Sequence, residues 1–407
     1  MRTKGMTLPL DPAIIRGRGC DQLSFPIRFM RIKFMPDDAY RSLFETNMGI
    51  RPGERIVVFS DLIRPDETLS DLERDRRERL LVEAQLVAAY AEQRWGNCSF
   101  VSFPATVASG AEPPEPLWTA VLGEATVERL RGDGLLLRLL AKCADQVDLA
   151  RAEATVRDSS HGAQVIVALA NNSTSHTRFR SFMNATGCRY ASLPHFDPEM
   201  FSTSMRVDWP ALADRTRRLA EIITLARSIT LTTPAGTDLK IGVEGRSAMA
   251  DDGLLTAAGC FGNLPAGEAY LAPREGTTEG VMVIEYAPTR RLTSPLTLTV
   301  RQGNVVAIEG DDPYRERLEE KFKESGLNRN IAELGIGTND RATRPDNVLE
   351  AEKILGTVHI ALGDNAGFGG RISTPFHEDY VLYRPTLIAE LPDGERVMLL
   401  DDGKLLI

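Results

Sequence analysis

Apolar residues arrive in two textures along the chain. Up to about residue 208, short β-rich runs alternate with longer stretches in which apolar positions recur every three or four residues. Ile56-Val-Val-Phe-Ser60, announced by the turn Arg51-Pro-Gly-Glu54, reads as a buried strand. A helix follows from Asp71 to about Arg94, with Leu80, Leu81, Ala84, Val87 and Ala88 at helical spacing. Ser99-Phe-Val-Ser-Phe103, Val165-Ile-Val-Ala-Leu169 and Arg189-Tyr-Ala-Ser-Leu193 read as further strands, and residues 116–144 and those from about Thr177 as helices. This alternation predicts an open α/β domain with a largely parallel sheet.

The amphipathic segment from Trp209 to Arg227, with Pro210 in its first turn, closes that pattern. From Ser228 the signals are hairpins. Residues 230–242 and 296–308 are apolar alternations folded about Pro-Ala-Gly and Gln-Gly-Asn turns, and a helix is expected at about 313–324. The fold class read from this is α/β: an N-terminal open α/β domain followed by a strand-rich α+β metal-binding domain. The expected boundaries are an N-terminal extension over 1–38, the α/β domain over 39–208, and the strand-rich domain with its connecting helix over 209–407. Ala111-Glu-Pro-Pro-Glu-Pro116 reads as an extended loop, and no tandem repeat is visible.

Charge narrows the class of partner. The 407 residues carry 48 Lys and Arg against 57 Asp and Glu, a net charge of −9, with bases and acids interleaved as in residues 71–79. That distribution excludes the concentrated basic face through which proteins neutralise nucleic-acid phosphates. Five scattered cysteines without a Cys-x-x-Cys pair indicate neither a disulfide framework nor a thiolate metal site and fit a reducing cytoplasm. No apolar run of membrane-spanning or signal-peptide length is present, so neither export nor membrane anchoring is expected.

Five histidines bound the candidate chemistry. His161 and His195 read as loop residues. His176, in Asn171-Asn-Ser-Thr-Ser-His-Thr177 after a parallel strand, is a modest substrate-binding candidate, although helix capping by Thr174 or Ser175 is the better account of that run. In His377-Glu-Asp379, alternation along a strand puts an imidazole and a carboxylate on one face. Taken alone the pair reads as a hydrogen-bonded His–Asp couple; a metal needs a further ligand, which His359 in Gly356-Thr-Val-His-Ile-Ala-Leu362 supplies. Glu268 and Glu333 stand in glycine-flanked settings at expected strand edges. Gly335-Ile-Gly337 lacks the third glycine and following helix of a dinucleotide loop.

In order and character, Asn263-Leu-Pro-Ala-Gly-Glu268 with Ala272-Pro273, Ala332-Glu-Leu-Gly-Ile-Gly-Thr-Asn339, Gly356-Thr-Val-His-Ile-Ala-Leu-Gly363 and His377-Glu-Asp379 resemble the aminopeptidase T / aminopeptidase S family of metallopeptidases. The resemblance spans roughly residue 40 to the C-terminus. It implies a cytoplasmic homodimer, a zinc-type hydrolase that removes N-terminal residues from short peptides with a metal-activated water. Two divalent ions (Zn, Co or Mn) would be held by Glu268, Glu333, His359, His377 and Asp379, with Glu268 and Glu333 also catalytic. One departure stands out: Ala366 occupies the place of a tyrosine in those peptidases. The alternative is a dihydroxypyridine ring-cleaving dioxygenase of the same fold, with one Fe(II) on His359, His377 and Asp379; a metal-free scaffold is a third reading. A small peptide or other small-molecule substrate is expected on either enzymatic reading.

Overall fold

The structure, a computed structural model, describes residues 37–157, 162–288 and 290–407. The expectations placed on residues 1–36, Cys20 included, and on His161 lie outside the described residues. The mixed α/β class is observed, with three sheets among the described residues.

The first sheet is parallel throughout. Its strands lie in the order Cys98–Pro104, Ile56–Leu62, Val165–Ala168, Arg189–Ser192 and Phe261–Asn263. The fifth strand comes from beyond residue 209, so this sheet draws on both halves of the chain. Val57, Phe59, Ile166 and Tyr190 pack against Trp118, Phe179 and Phe182 of the flanking helices. The expected long helix over 116–144 is three helices, Glu115–Leu122, Glu124–Gly132 and Leu135–Leu140, because Gly123 and Gly134 adopt positive φ at the breaks (84° and 71°). A further helix, Gln146–Arg157, was not expected. The cap of helix Arg178–Ala185 is Thr177, whose hydroxyl accepts from the Arg180 amide at 3.0 Å, rather than Thr174 or Ser175.

The second half builds two antiparallel sheets. Eight strands form one, including the expected hairpins Ser228–Thr232/Asp238–Gly242 and Arg290–Arg301/Asn304–Glu309. Five form the other, in the order His377–Leu382, Val358–Gly363, Ile331–Gly337, Glu268–Leu271 and Met249–Asp251. Glu333 is therefore in the central strand rather than at an edge. Alternation gives this five-stranded sheet two unlike faces. Leu271, Leu334, Ile336, Ile360, Leu362 and Tyr380 point into one core with Ile229, Leu239, Met282 and Leu298 of the larger sheet and Leu219 and Ile223 of helix Trp209–Leu225. The opposite face carries the polar residues.

Asn339, fully buried just past the central strand, fastens that strand to its surroundings. Its amide nitrogen donates to the carbonyls of Ser204 (3.1 Å) and Ala266 (2.9 Å), and its oxygen accepts from the amides of Arg341 and Ala342. Replacement by alanine leaves buried backbone groups unpaired, each costing about 1–3 kcal/mol. Asn339→Ala is expected to lower the free energy of unfolding by about 3 kcal/mol, read from urea denaturation.

Candidate metal centre

Register fixes the polar face before any side chain is considered. Along one row of paired positions lie Asp379, Ala361 and Glu333; along the next, Val381, His359, Gly335 and Tyr270; along a third, Gly337, Glu268 and Asp251. Large ligating side chains thus alternate with small residues across the strands. Gly335, paired with both His359 and Tyr270, shows why. A Cβ there would lie 2.0 Å from His359 Nε2, so the imidazole lies flat over the central strand only because nothing projects from it. The glycines of Gly335-Ile-Gly337 serve close packing, since a Cβ at Gly337 would strike the Ile354 carbonyl oxygen at 2.1 Å.

Over this floor the five expected residues converge. Their ligand atoms form two groups, each within 4.8 Å: Glu268 with Glu333 and His359, and Glu333 with His377 and Asp379. Glu333 belongs to both. Its Oε1 is 3.3 Å from His359 Nε2 and its Oε2 is 3.5 Å from His377 Nε2, while Asp379 Oδ2 lies 3.6 Å from the same His377 nitrogen. The two histidines fall in different groups and are joined through Glu333, whose two oxygens face one imidazole each. The groups also differ in access. Glu268, Glu333 and His359 are buried, whereas a third of the His377 side chain is exposed.

The residues fit a cation on two grounds. Glu268 Oε2 is buried without a hydrogen-bond partner, although His359 Nε2 is 3.3 Å away, so the buried cage holds an unsatisfied anion oxygen. His377 shares its Nδ1 with the Asp364 backbone carbonyl at 2.8 Å, which assigns the proton there and leaves Nε2 as the ligating nitrogen. Without a metal, protons and ion pairs carry the charge. Burial disfavours a charged His359, but the hydrogen bond to Glu333 and the carboxylates of Glu268 and Asp379 outweigh it and hold the imidazole up at about 9. His377 is raised to about 10 because Asp379 outweighs burial in the same way. Asp379 is in turn held well below the usual carboxylate range, His377 prevailing over burial. Glu333 is raised by its burial.

Four neighbours escaped the sequence reading. Lys353 places its ammonium 2.5 Å from Glu268 Oε1 and 3.2 Å from Glu352 Oε2. Glu352 and Asp251 are both pushed up to about 8 by burial, with Lys353 opposing. Tyr270, two residues after Glu268 and so on the same face, was legible by the alternation that joined His377 to Asp379. It packs edge-on against Phe368, 5.8 Å between ring centres, and Phe368 against His377 at 5.9 Å. At Ala366 the loop carries no phenol. His176 is exposed yet near enough to His377 for their charges to interact, which brings the end of the parallel sheet to this centre. His195, at positive φ, does not join it.

An α/β scaffold whose sheet face gathers acidic and imidazole ligands over a glycine floor is the framework of a metal-dependent enzyme. The family of 2,5-dihydroxypyridine 5,6-dioxygenases (NicX) matches residues 150–406, more than half of the sequence, and the chain belongs to that family. Among solved structures, the 2,5-dihydroxypyridine dioxygenase from Pseudomonas putida KT2440 superposes with a TM-score of 0.62 at 19% identity, covering 91% of this chain and 96% of that one. Wild-type AmpT from Thermus thermophilus follows with 0.56 at 15% identity, covering 91% and 98%. No curated protein matches the sequence. The family match overturns the expected aminopeptidase, and with it the hydrolase and protease assignment; the likeness to AmpT is one of fold. None of the helices among the described residues is long and apolar enough to cross a membrane.

Two outcomes follow from this geometry. Gly335→Ala, by displacing the His359 ring, is expected to weaken metal binding about 10–100-fold, measured by elemental analysis after equilibration with limiting metal. The metal-free protein should be sensitive to alkali. Both histidines have raised pKa values, so their stabilising contribution is complete below about 6.5, their ordinary value, and is lost as pH rises through about 9 to 10. Its thermal midpoint is expected to fall between pH 7 and 10, by more than in a His377→Ala variant measured alongside.

Proposed function

We propose that the chain is a metal-dependent ring-cleaving dioxygenase acting on a dihydroxylated nitrogen heteroaromatic of the 2,5-dihydroxypyridine type. Membership of the NicX family carries this reading, with the acid–imidazole centre inside the matched segment in its support. Glu333, His377 and Asp379, the more accessible of the two groups, would hold a ferrous ion. Such an ion supplies the one-electron chemistry that lets a spin-paired ring react with dioxygen.

The chain's own residues would act around it. Phe368 and Tyr270 present aromatic surfaces beside His377, suited to holding a planar ring by offset or edge contact. His176 stands near enough to His377 for their charges to interact and would offer an imidazole to a ring hydroxyl or nitrogen. The Asp364 carbonyl keeps His377 in one tautomer and orientation.

The test is oxygen consumption. Protein loaded with Fe(II) under anaerobic conditions and mixed with 2,5-dihydroxypyridine is expected to consume one dioxygen per ring as the aromatic absorbance disappears. His377→Ala should reduce that rate by more than about a hundredfold, beyond the loss typical of an outer-shell partner. Absence of oxygen uptake by Fe(II)-loaded protein on dihydroxylated pyridines would refute the reading.

A further inference from the structure

The loop between the strands Val358–Gly363 and His377–Leu382 carries Phe368, whose ring lies against both Tyr270 and His377. A Cβ at Gly367 or Gly369 would meet no described atom within 4 Å, so the backbone on either side of Phe368 stands clear of the protein. What fixes the ring is the base of the loop. There the buried Asn365 closes residues 365–372 on themselves: its amide donates to the Ile372 carbonyl at 3.0 Å, its side-chain oxygen accepts from the Ile372 amide at 2.8 Å, and its carbonyl accepts from the Gly370 amide at 2.9 Å. One carboxylate ties this closed loop to the sheet. Strands Glu268–Leu271 and Val358–Gly363 both run antiparallel to the central strand, so the segments that follow them emerge at the same end, where Glu275 meets the loop. Its Oε1 accepts from the Arg371 amide at 2.7 Å and from Asn365 Nδ2 at 3.3 Å, and its Oε2 accepts from the Arg246 guanidinium, which also donates to the Gly369 carbonyl. Burial opposes the charge on Glu275, but the Arg371 amide and Arg246 outweigh it and hold the carboxyl below the usual carboxylate range. An open cleft of about 590 Å³, lined by Arg246, Arg274, Glu275, Arg371 and Ile372, adjoins these ties and leaves the loop room to swing once they are cut.

We infer that Glu275 is a positioning residue for the substrate: by binding Arg246, Asn365 and the Arg371 amide at once, it holds Phe368 where a planar heteroaromatic ring packs against it. The inference rests on the dihydroxypyridine reading of the same centre. It separates ring binding from the chemistry. Asp364 is anchored independently, its amide donating to the Phe376 carbonyl at 2.8 Å and its carboxylate accepting from the Thr374 amide at 3.0 Å. His377, which bonds the Asp364 carbonyl, therefore keeps its orientation when Glu275 is lost. Loss of a contact made equally to bound substrate and transition state raises KM and leaves kcat.

Oxygen uptake by the Fe(II)-loaded, full-length protein over a range of 2,5-dihydroxypyridine concentrations tests this. Glu275→Ala is expected to raise KM about tenfold, with kcat within about threefold of the unaltered chain. Arg246→Met, which cuts the same tie from the other side, is expected to act alike and serves where Glu275→Ala does not fold. A cycle with Phe368→Leu distinguishes positioning from general loosening. In that background Glu275→Ala should change KM by less than about twofold, because the ring contact it governs is already gone. A KM within about twofold of the unaltered chain in both Glu275→Ala and Arg246→Met would overturn the inference, as would a fall in kcat at unchanged KM. So would a rise in KM of about tenfold that persists in the Phe368→Leu background. Absence of oxygen uptake by the unaltered chain would overturn the ring-cleaving reading and this inference together, an outcome distinct from turnover that is intact but indifferent to Glu275.

Discussion

Four carboxylates, Asp251, Glu268, Glu333 and Asp379, share one face of a single interior sheet, with Glu352 leaning in from the adjoining loop. Removing so many like charges from water is prohibitive unless cations or protons accompany them. The rest of the centre answers that requirement. Lys353 enters on one side, two imidazoles are held in their charged form in the metal-free state, and the outlying acids Asp251 and Glu352 keep their protons near neutral pH. A metal arriving at this face would exchange with the proton on His377, so loading and protonation would be alternative solutions to one electrostatic demand.

Parts of this were legible in the sequence because they depend on local periods. His377 and Asp379 share a face through a two-residue repeat, and the hairpins about residues 233–236 and 302–303 follow from turn chemistry. Tyr270 was equally legible and was missed. Lys353 and Glu352 were not legible, since they reach the centre from the loop before the His359 strand and only tertiary packing reveals where that loop goes. The strand Phe261–Asn263, three residues long and paired with a segment some seventy residues earlier, leaves no periodic trace either. In residues 116–144 the signal was present at Gly123 and Gly134, but continuous helical spacing of Leu and Val across them outweighed it.

The ordered motifs identified the scaffold better than the reaction. Both the dioxygenase and AmpT superpose on this chain over nine-tenths of its length, a likeness of fold that does not separate one reaction from the other. Chemistry is set by what surrounds those positions. Here the surroundings include Lys353 against Glu268 and a loop with Ala366 and Phe368. The peptidase reading came from the order of the motifs, which the family match overturns.

The row Asp379–Ala361–Glu333 has a consequence for ion preference. Asp379 and Glu333 lie two strands apart with only the Ala361 methyl between them. Strands in a sheet are spaced by about 4.8 Å, so the two backbones are roughly 10 Å apart and the side chains must lean toward each other to meet. The gap between these two carboxylates is therefore gauged by the hydrogen-bonded ladder, which cannot breathe as a loop does. Exchanging Glu333 for aspartate would preserve charge and donor type yet fall one methylene short of both histidines. In this centre the length of a side chain matters as much as its chemistry.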